Sequence, residues 1–189
     1  LRYRRGFRIF QEMTTEEIVK KVFSEAGLPD DAFLWKLTGS YQTRTYCVQY
    51  DENEWDFVCR LLEDEGIWFV FEHDRAGHVM IFGDASNVAE PFEQPHLAHH
   101  NGVGAHHYGE AMVWNWDSRA ALSVAKTTVN DFDFERPSAD ISAVEEVDSP
   151  LAREWYEYPG GYTDPDEGTR RTLARLQELR SLARTAAAQ

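Results

Sequence analysis

Residues 46–67 read Tyr46-Cys47-Val48-Gln49-Tyr50-Asp51-Glu52-Asn53-Glu54-Trp55-Asp56-Phe57-Val58-Cys59-Arg60-Leu61-Leu62-Glu63-Asp64-Glu65-Gly66-Ile67, and the hydrophobic period changes within them. β-Branched and aromatic residues dominate 43–50, the composition of a strand. Asp51 and Glu54 stand at capping-box spacing, which predicts a helix over about 52–65. Trp55, Val58, Leu61, Leu62 and Glu65 share one face of it, Phe57 widens that face, and Gly66 supplies the stop. Residues 67–71 and 78–82 then read as a hairpin around His73-Asp74-Arg75-Ala76-Gly77.

Toward the N-terminus, Thr14 and Glu17 repeat the capping-box spacing ahead of Ile18, Val19, Val22, Phe23 and Ala26, an apolar stripe that predicts a helix over 15–26. Gly27 and Pro29 end it, and residues 33–37 form a short strand or a buried turn. Helix, strand, helix and hairpin together describe an α+β unit over 1–84. Residues 85–106 carry prolines at 91 and 95 and no periodicity, so they read as a loop or linker. Beyond it, 107–189 reads as a β-rich unit. Strands are expected over 110–116 and 122–130, with 131–135 extending the second. Residues 139–153 read as an irregular acidic connection. A strand over 154–158 and a turn at Pro159-Gly160-Gly161 precede a helix running to about 184. Its apolar positions, Leu173, Leu176, Leu179, Leu182 and Ala183, make a narrow stripe, which means shallow burial or an absent partner.

With 42% hydrophobic and 13% aromatic residues, the 189-residue chain has ample material for a packed core. No apolar run is long enough to span a membrane as a helix, and the basic start lacks the apolar segment of a secretory signal. The missing initiator Met and a start that reads as mid-strand suggest a piece of a longer protein. The net charge of −14 argues against nucleic acid and anionic lipid as partners. Four arginines nevertheless fall within residues 1–10, while 51–90 carry eleven acids against two arginines. Solvation of the surface accounts for the acids. Cys47 and Cys59 sit among apolar residues and read as reduced, buried thiols.

Four ordered segments go further. Phe7-Arg8-Ile9-Phe10-Gln11 followed by 14–28 resembles the opening of the VgrG family, and 46–67 resembles that family's most recognisable stretch. Asp131-Phe132-Asp133-Phe134-Glu135-Arg136-Pro137 and Glu157-Tyr158-Pro159-Gly160-Gly161-Tyr162, with Glu167-Gly168 and the helix after it, resemble two later elements. Where the family commonly has Glu-Ser-Asp-Leu, this chain has Glu52-Asn53-Glu54-Trp55, with Asp51 still available as a cap. The resemblance implies a phage-hub-like α+β fold of β-barrel-like subdomains with packed helices. It also implies a structural part of the type VI secretion spike, similar to the baseplate hub and late control protein D of contractile phages. On that reading the full protein is a homotrimer that caps the hexameric tube protein (Hcp), supports a puncturing needle and delivers effectors or adaptors. It would assemble in the bacterial cytoplasm and leave through the apparatus without a signal peptide.

No catalytic, cofactor-binding or metal residue is assigned by this reading. His96, His99, His100, His106 and His107 are the conspicuous chemical candidates, since imidazoles bind zinc or nickel, and a metal-dependent enzyme built on 96–107 is the competing class. Gly102 and Gly104 favour a plain surface loop there. A second alternative is a phage-tail or tailocin hub. Glu63-Asp64-Glu65 could supply paired carboxylates, but adjacent helical residues diverge, so at most two converge; Arg60 is expected to neutralise whichever is buried. Val113-Trp114-Asn115-Trp116 could stack on a sugar or base, although alternating aromatics in a strand are more often half core and half interface. No Ser-His-Asp order, Walker loop or dinucleotide fingerprint is present.

Overall fold

The chain opens on strand β1 (Arg5–Phe10), and Thr14 then starts helix α1 (Thr15–Glu25) with the anticipated capping box. Thr14 Oγ accepts from the Glu17 amide at 3.3 Å, and the Glu17 carboxylate accepts from the Thr14 amide at 2.8 Å. Ile18, Val19, Val22 and Phe23 bury one stripe, and Gly27 at φ +82° turns the chain out in a conformation that costs glycine least. The computed structural model describes residues 1–75, 77–88, 96–99, 112–150 and 153–188, and its architecture is α+β. It forms two units, Leu1–Ala89 and Glu90–Gln189.

In the first unit β2 (Phe33–Lys36) follows a single 3-10 turn, and β3 (Cys47–Asn53) runs antiparallel to β1. Helix α2 (Glu54–Glu65) starts two residues later than its spacing suggests, and its cap is Asn53 rather than Asp51. The reason lies in the ladder. Strand β3 stays paired to β1 as far as Asn53, opposite Arg5, and Asp51 sits in the register shift between Gly6 and Phe7 at φ +48°. Asn53 Oδ1 then accepts from the Asp56 amide at 2.8 Å. Glu54 turns inward to Arg4 and Arg8, at 3.3 and 3.2 Å.

Phe57, Val58, Leu61 and Leu62 bury the inner face of α2, and Gly66 at φ +70° ends it. The hairpin of β4 (Trp68–His73) and β5 (His78–Gly83) follows, and β2 adds parallel to β5 in a sheet of order β2-β5-β4. Phe33, Met80 and Phe82 face both helices in one core, with Trp35 stacked on Phe82 at 4.1 Å and Phe10 on Phe57 at 5.5 Å. Gly83 admits the Trp68 ring, which a Cβ there would meet at 2.4 Å.

Asp84 closes the unit by organising the turn after β2. It accepts from the Thr38 and Gly39 amides and from the Thr38 and Tyr41 hydroxyls, all within 3.0 Å. Burial pushes its carboxyl up, but those donors outweigh burial and hold it below the ordinary value. A depressed folded value stabilises the native state above the ordinary carboxylate range, and this contribution is lost as pH falls through the folded value. Asp84→Asn should therefore unfold more easily at neutral pH yet lose part of the parent's further decline below about pH 4. Thermal midpoints measured for both proteins across that window test it; parallel curves would rule it out.

In the second unit β6 (Ala98–His99) and β7 (Met112–Val113) pair in parallel, and β8 (Trp116–Ala120) follows. Strand β9 (Lys126–Val129) is the centre of a sheet, flanked by antiparallel β10 (Ala143–Glu146) and parallel β11 (Glu154–Glu157). Helix α3 (Pro165–Ser181) packs on β9 and β10, and β12 (Arg184–Ala188) pairs with β8.

Several expectations change here. Residues 131–135 form no strand: the chain turns at 133–136, where the Asp133 carboxylate takes the Glu135 and Arg136 amides at 2.9 and 3.1 Å and so removes them from any ladder. Residues 143–146 are a strand rather than an irregular connection; Glu145 and Glu146 are charges on an edge strand. Helix α3 ends at Ser181, and Ala186, Ala187 and Ala188 belong to β12.

Tyr162 is the pivot of this unit. It packs with Val129, Ile141 and Ala143, and its hydroxyl proton lies between the Val129 and Ile141 carbonyls, at 2.7 and 2.9 Å. Burial raises the phenol's pKa, which keeps that donor protonated. Gly160 and Gly168 flank the ring: a Cβ on either would come within 2.4 Å of it. Among the described residues the strands make five sheets of two or three strands, and none closes on itself.

Candidate functional site

Two neighbouring acids of α2 share one cation. Asp64 and Glu65 converge on Arg44, whose guanidinium lies 2.6 and 2.7 Å from their carboxylates and donates to Thr15 Oγ at 3.1 Å. Burial disfavours the Arg44 charge, but the two carboxylates more than restore it and its pKa is raised. A guanidinium cannot relay a proton at neutral pH, so this is an anchor between α1 and α2. Arg60 is not the partner expected for these acids. It reaches Glu52 at 2.6 Å and the Val48 carbonyl at 3.1 Å, and lies over the Phe57 ring. Residues 46–67 contain no signal for Arg44, which reaches α2 from the loop before β3.

The thiols are free, and burial pushes both Cys47 and Cys59 upward, away from the reactive thiolate. His96 and His99 are exposed; His100, His106 and His107 lie outside the described residues. Among the described residues no group of three or more His, Cys, Asp or Glu side chains is arranged to hold a metal ion.

The surface offers apolar faces instead. Along β1 the side chains alternate, so Arg8 and Phe10 point inward while Phe7 and Ile9 point out. Tyr50 of β3 stands opposite Phe7, with ring centroids 5.2 Å apart. Phe7 is 65%, Ile9 58% and Tyr50 74% exposed, a run of large apolar side chains on one face of a two-stranded ribbon. The Arg5–Asp51 ion pair rims it at 2.9 Å. Contiguous exposed apolar patches mark interaction sites, whereas single exposed residues do not.

The second unit repeats the pattern. Val144, Thr128 and Tyr156 form one cross-strand row on the outer face of its three-stranded sheet, beside the Lys126–Glu154 ion pair at 3.0 Å. Trp114 and Trp116 are both exposed, so the half-core reading of that pair fails: β7 stops at Val113 and Trp116 begins the thin β8–β12 ribbon. On α3 the buried positions are Glu167, Gly168, Thr172 and Leu176, while Leu173 and, at the C-cap, Leu182 face solvent. No helix among the described residues is long and apolar enough to cross a membrane.

Comparison with known proteins identifies the family. The family model for the phage tail baseplate hub (GPD) matches residues 1–189. The type VI secretion system spike protein VgrG4b of Pseudomonas aeruginosa is 35% identical over 96% of this chain, which covers 23% of that protein. Its spike protein VgrG1a is 31% identical over 92% of this chain and 27% of its own length. The actin cross-linking toxin VgrG1 of Vibrio cholerae is 31% identical over 100% of this chain, which covers 17% of the toxin. This chain thus spans about a quarter or less of the relatives it matches. Among solved structures, an Escherichia coli component of the type VI secretion system, described as structurally similar to bacteriophage T4 tail proteins, matches with a TM-score of 0.50 and 28% identity over 64% of this chain and 31% of its own. A prophage tail protein of Shewanella oneidensis shares the fold, with a TM-score of 0.58 and 13% identity over 95% of this chain and 50% of its own.

Proposed function

The chain belongs to the phage tail baseplate hub (GPD) family, and from this we propose that it is part of the hub of a type VI secretion spike, a structural role with no catalysis of its own. Three copies of the longer protein form the hub, which seats on the hexameric tube protein and supports a needle for effector delivery. Residues 1–84 and 107–189 are its subdomains, joined through 85–106. They become barrel-like when the open edges of these small sheets are completed in the assembly. The protein assembles in the bacterial cytoplasm and leaves through the apparatus. Toxin activity belongs to the Vibrio relative and is not transferred here. The spike names of the sequence relatives favour a secretion spike over a phage tail hub.

The observation that carries this reading is the open face of Phe7, Ile9 and Tyr50. A two-stranded ribbon is marginal in water by itself, and burying such a face against a neighbour would stabilise it. In the longer protein that includes this chain, light scattering should report a trimer that retains the tube protein. Phe7→Glu with Tyr50→Glu should weaken trimer formation by at least about 2 kcal/mol, the scale of a central interface aromatic, with the circular dichroism spectrum unchanged. A parent protein that is monomeric at every concentration, or a variant that assembles as well as the parent, would refute this reading.

A further inference from the structure

We propose that His73 and His78 form a bidentate site for a borderline divalent transition metal, zinc or nickel, at the tip of the β4–β5 hairpin. The two residues are directly paired across the antiparallel strands, and both are exposed. The turn beyond them is closed by the Asp74 amide donating to the Gly77 carbonyl at 3.0 Å and by the Gly77 amide donating to the Asp74 carboxylate at 2.8 Å. Hydrogen-bonded and non-hydrogen-bonded pairs alternate along such a ladder. One step in from the Asp74–Gly77 bond, His73 and His78 fall in the non-hydrogen-bonded class, where facing side chains come closest.

Their ring centroids lie 5.8 Å apart, and Phe71 on the same face contacts both rings at 6.4 and 6.5 Å. The phenyl ring backs the imidazoles on one side and leaves the other side to solvent. Rotation of the two side chains brings one nitrogen of each to about 2.0–2.1 Å from a shared zinc ion, with water completing the shell. Imidazole is a good ligand for zinc, nickel and copper and a poor one for magnesium or calcium, so the site selects by ligand chemistry. His73 and His78 are distinct in sequence from the histidines of 96–107, and neither belongs to the face of Phe7, Ile9 and Tyr50.

Calorimetric titration of zinc alone, and then nickel alone, into the untagged chain tests the assignment. One metal per chain should be held at this pair. Losing a residue behind a metal ligand costs roughly 10–100-fold in affinity, so His73→Asn and His78→Asn should each weaken that binding at least as much. A His96→Gln/His99→Gln/His100→Gln variant should keep it, and magnesium should show none. The hairpin tip is exposed, so the single variants should retain the parent's thermal midpoint without metal. Zinc binding unchanged in both single variants, abolished in the triple variant, or absent from the parent would each overturn the proposal.

Discussion

Tyr162→Ala is expected to destabilise the second unit by about 3–5 kcal/mol, the usual cost of emptying a buried aromatic site. The ring is 5% exposed and is the largest member of a small cluster with Val129, Ile141 and Ala143, so neighbouring side chains have little volume with which to refill the space. The Val129 and Ile141 carbonyls also lose the donor that ties β9 to the segment before β10. Tyr162→Phe keeps the ring and should cost only about 1 kcal/mol. The sharper variant is Gly168→Ala. In an ordinary helix interior that change gains about 1 kcal/mol. Here the new Cβ would lie 2.4 Å from the Tyr162 ring, which its hydroxyl anchor keeps from retreating. A net loss of about 1–3 kcal/mol is expected. Urea unfolding followed by fluorescence and circular dichroism reads both; a Gly168→Ala protein with an equal or higher midpoint would contradict the clamp.

The second large effect is at Arg44. Arg44→Met leaves Glu65, whose side chain is 2% exposed, without the cation that neutralises it. Breaking one side of a buried pair typically costs about 3–5 kcal/mol, whereas replacing both partners with apolar residues is often neutral. Arg44→Met combined with Glu65→Leu should therefore recover most of the stability that the single variant loses. Asp64 is partly exposed and can be solvated in either protein. Thermal unfolding of the parent, both singles and the double closes the cycle. Additive losses would show that Arg44 stabilises through its stem packing rather than through its charge.

Much of the first unit was legible because its signals are local. The Thr14–Glu17 box, the α1 stripe, Gly66 and the hairpin each depend on residues within one turn or one pair of strands. The start of α2 was misread because Asp51 and Asn53 are both competent caps. The choice between them was made by β1, which pairs through Asn53 and lies some forty residues earlier. Arg44 as the partner of Glu65, like Glu54 turning in to Arg4 and Arg8, is equally a long-range choice. In the second unit, acids at 145 and 146 disguised an edge strand, and polar Asp133 used its carboxylate to stop one. The apolar faces were only partly legible, since periodicity shows that Phe7 and Ile9 share a side of β1 but not that this side lacks a cover.

The pairings of β1 and β2 bear on how the chain is made. Phe33 pairs with Met80 and Phe10 with Cys47, so both N-terminal strands leave the ribosome before their partners exist. At about 5–20 residues per second, β2 waits roughly 2–9 s for β5. During that interval Phe10, Phe23 and Phe33 have no core to enter. Until β5 is made, the nascent chain therefore carries an uncovered, adhesive stretch from Phe10 to Phe33.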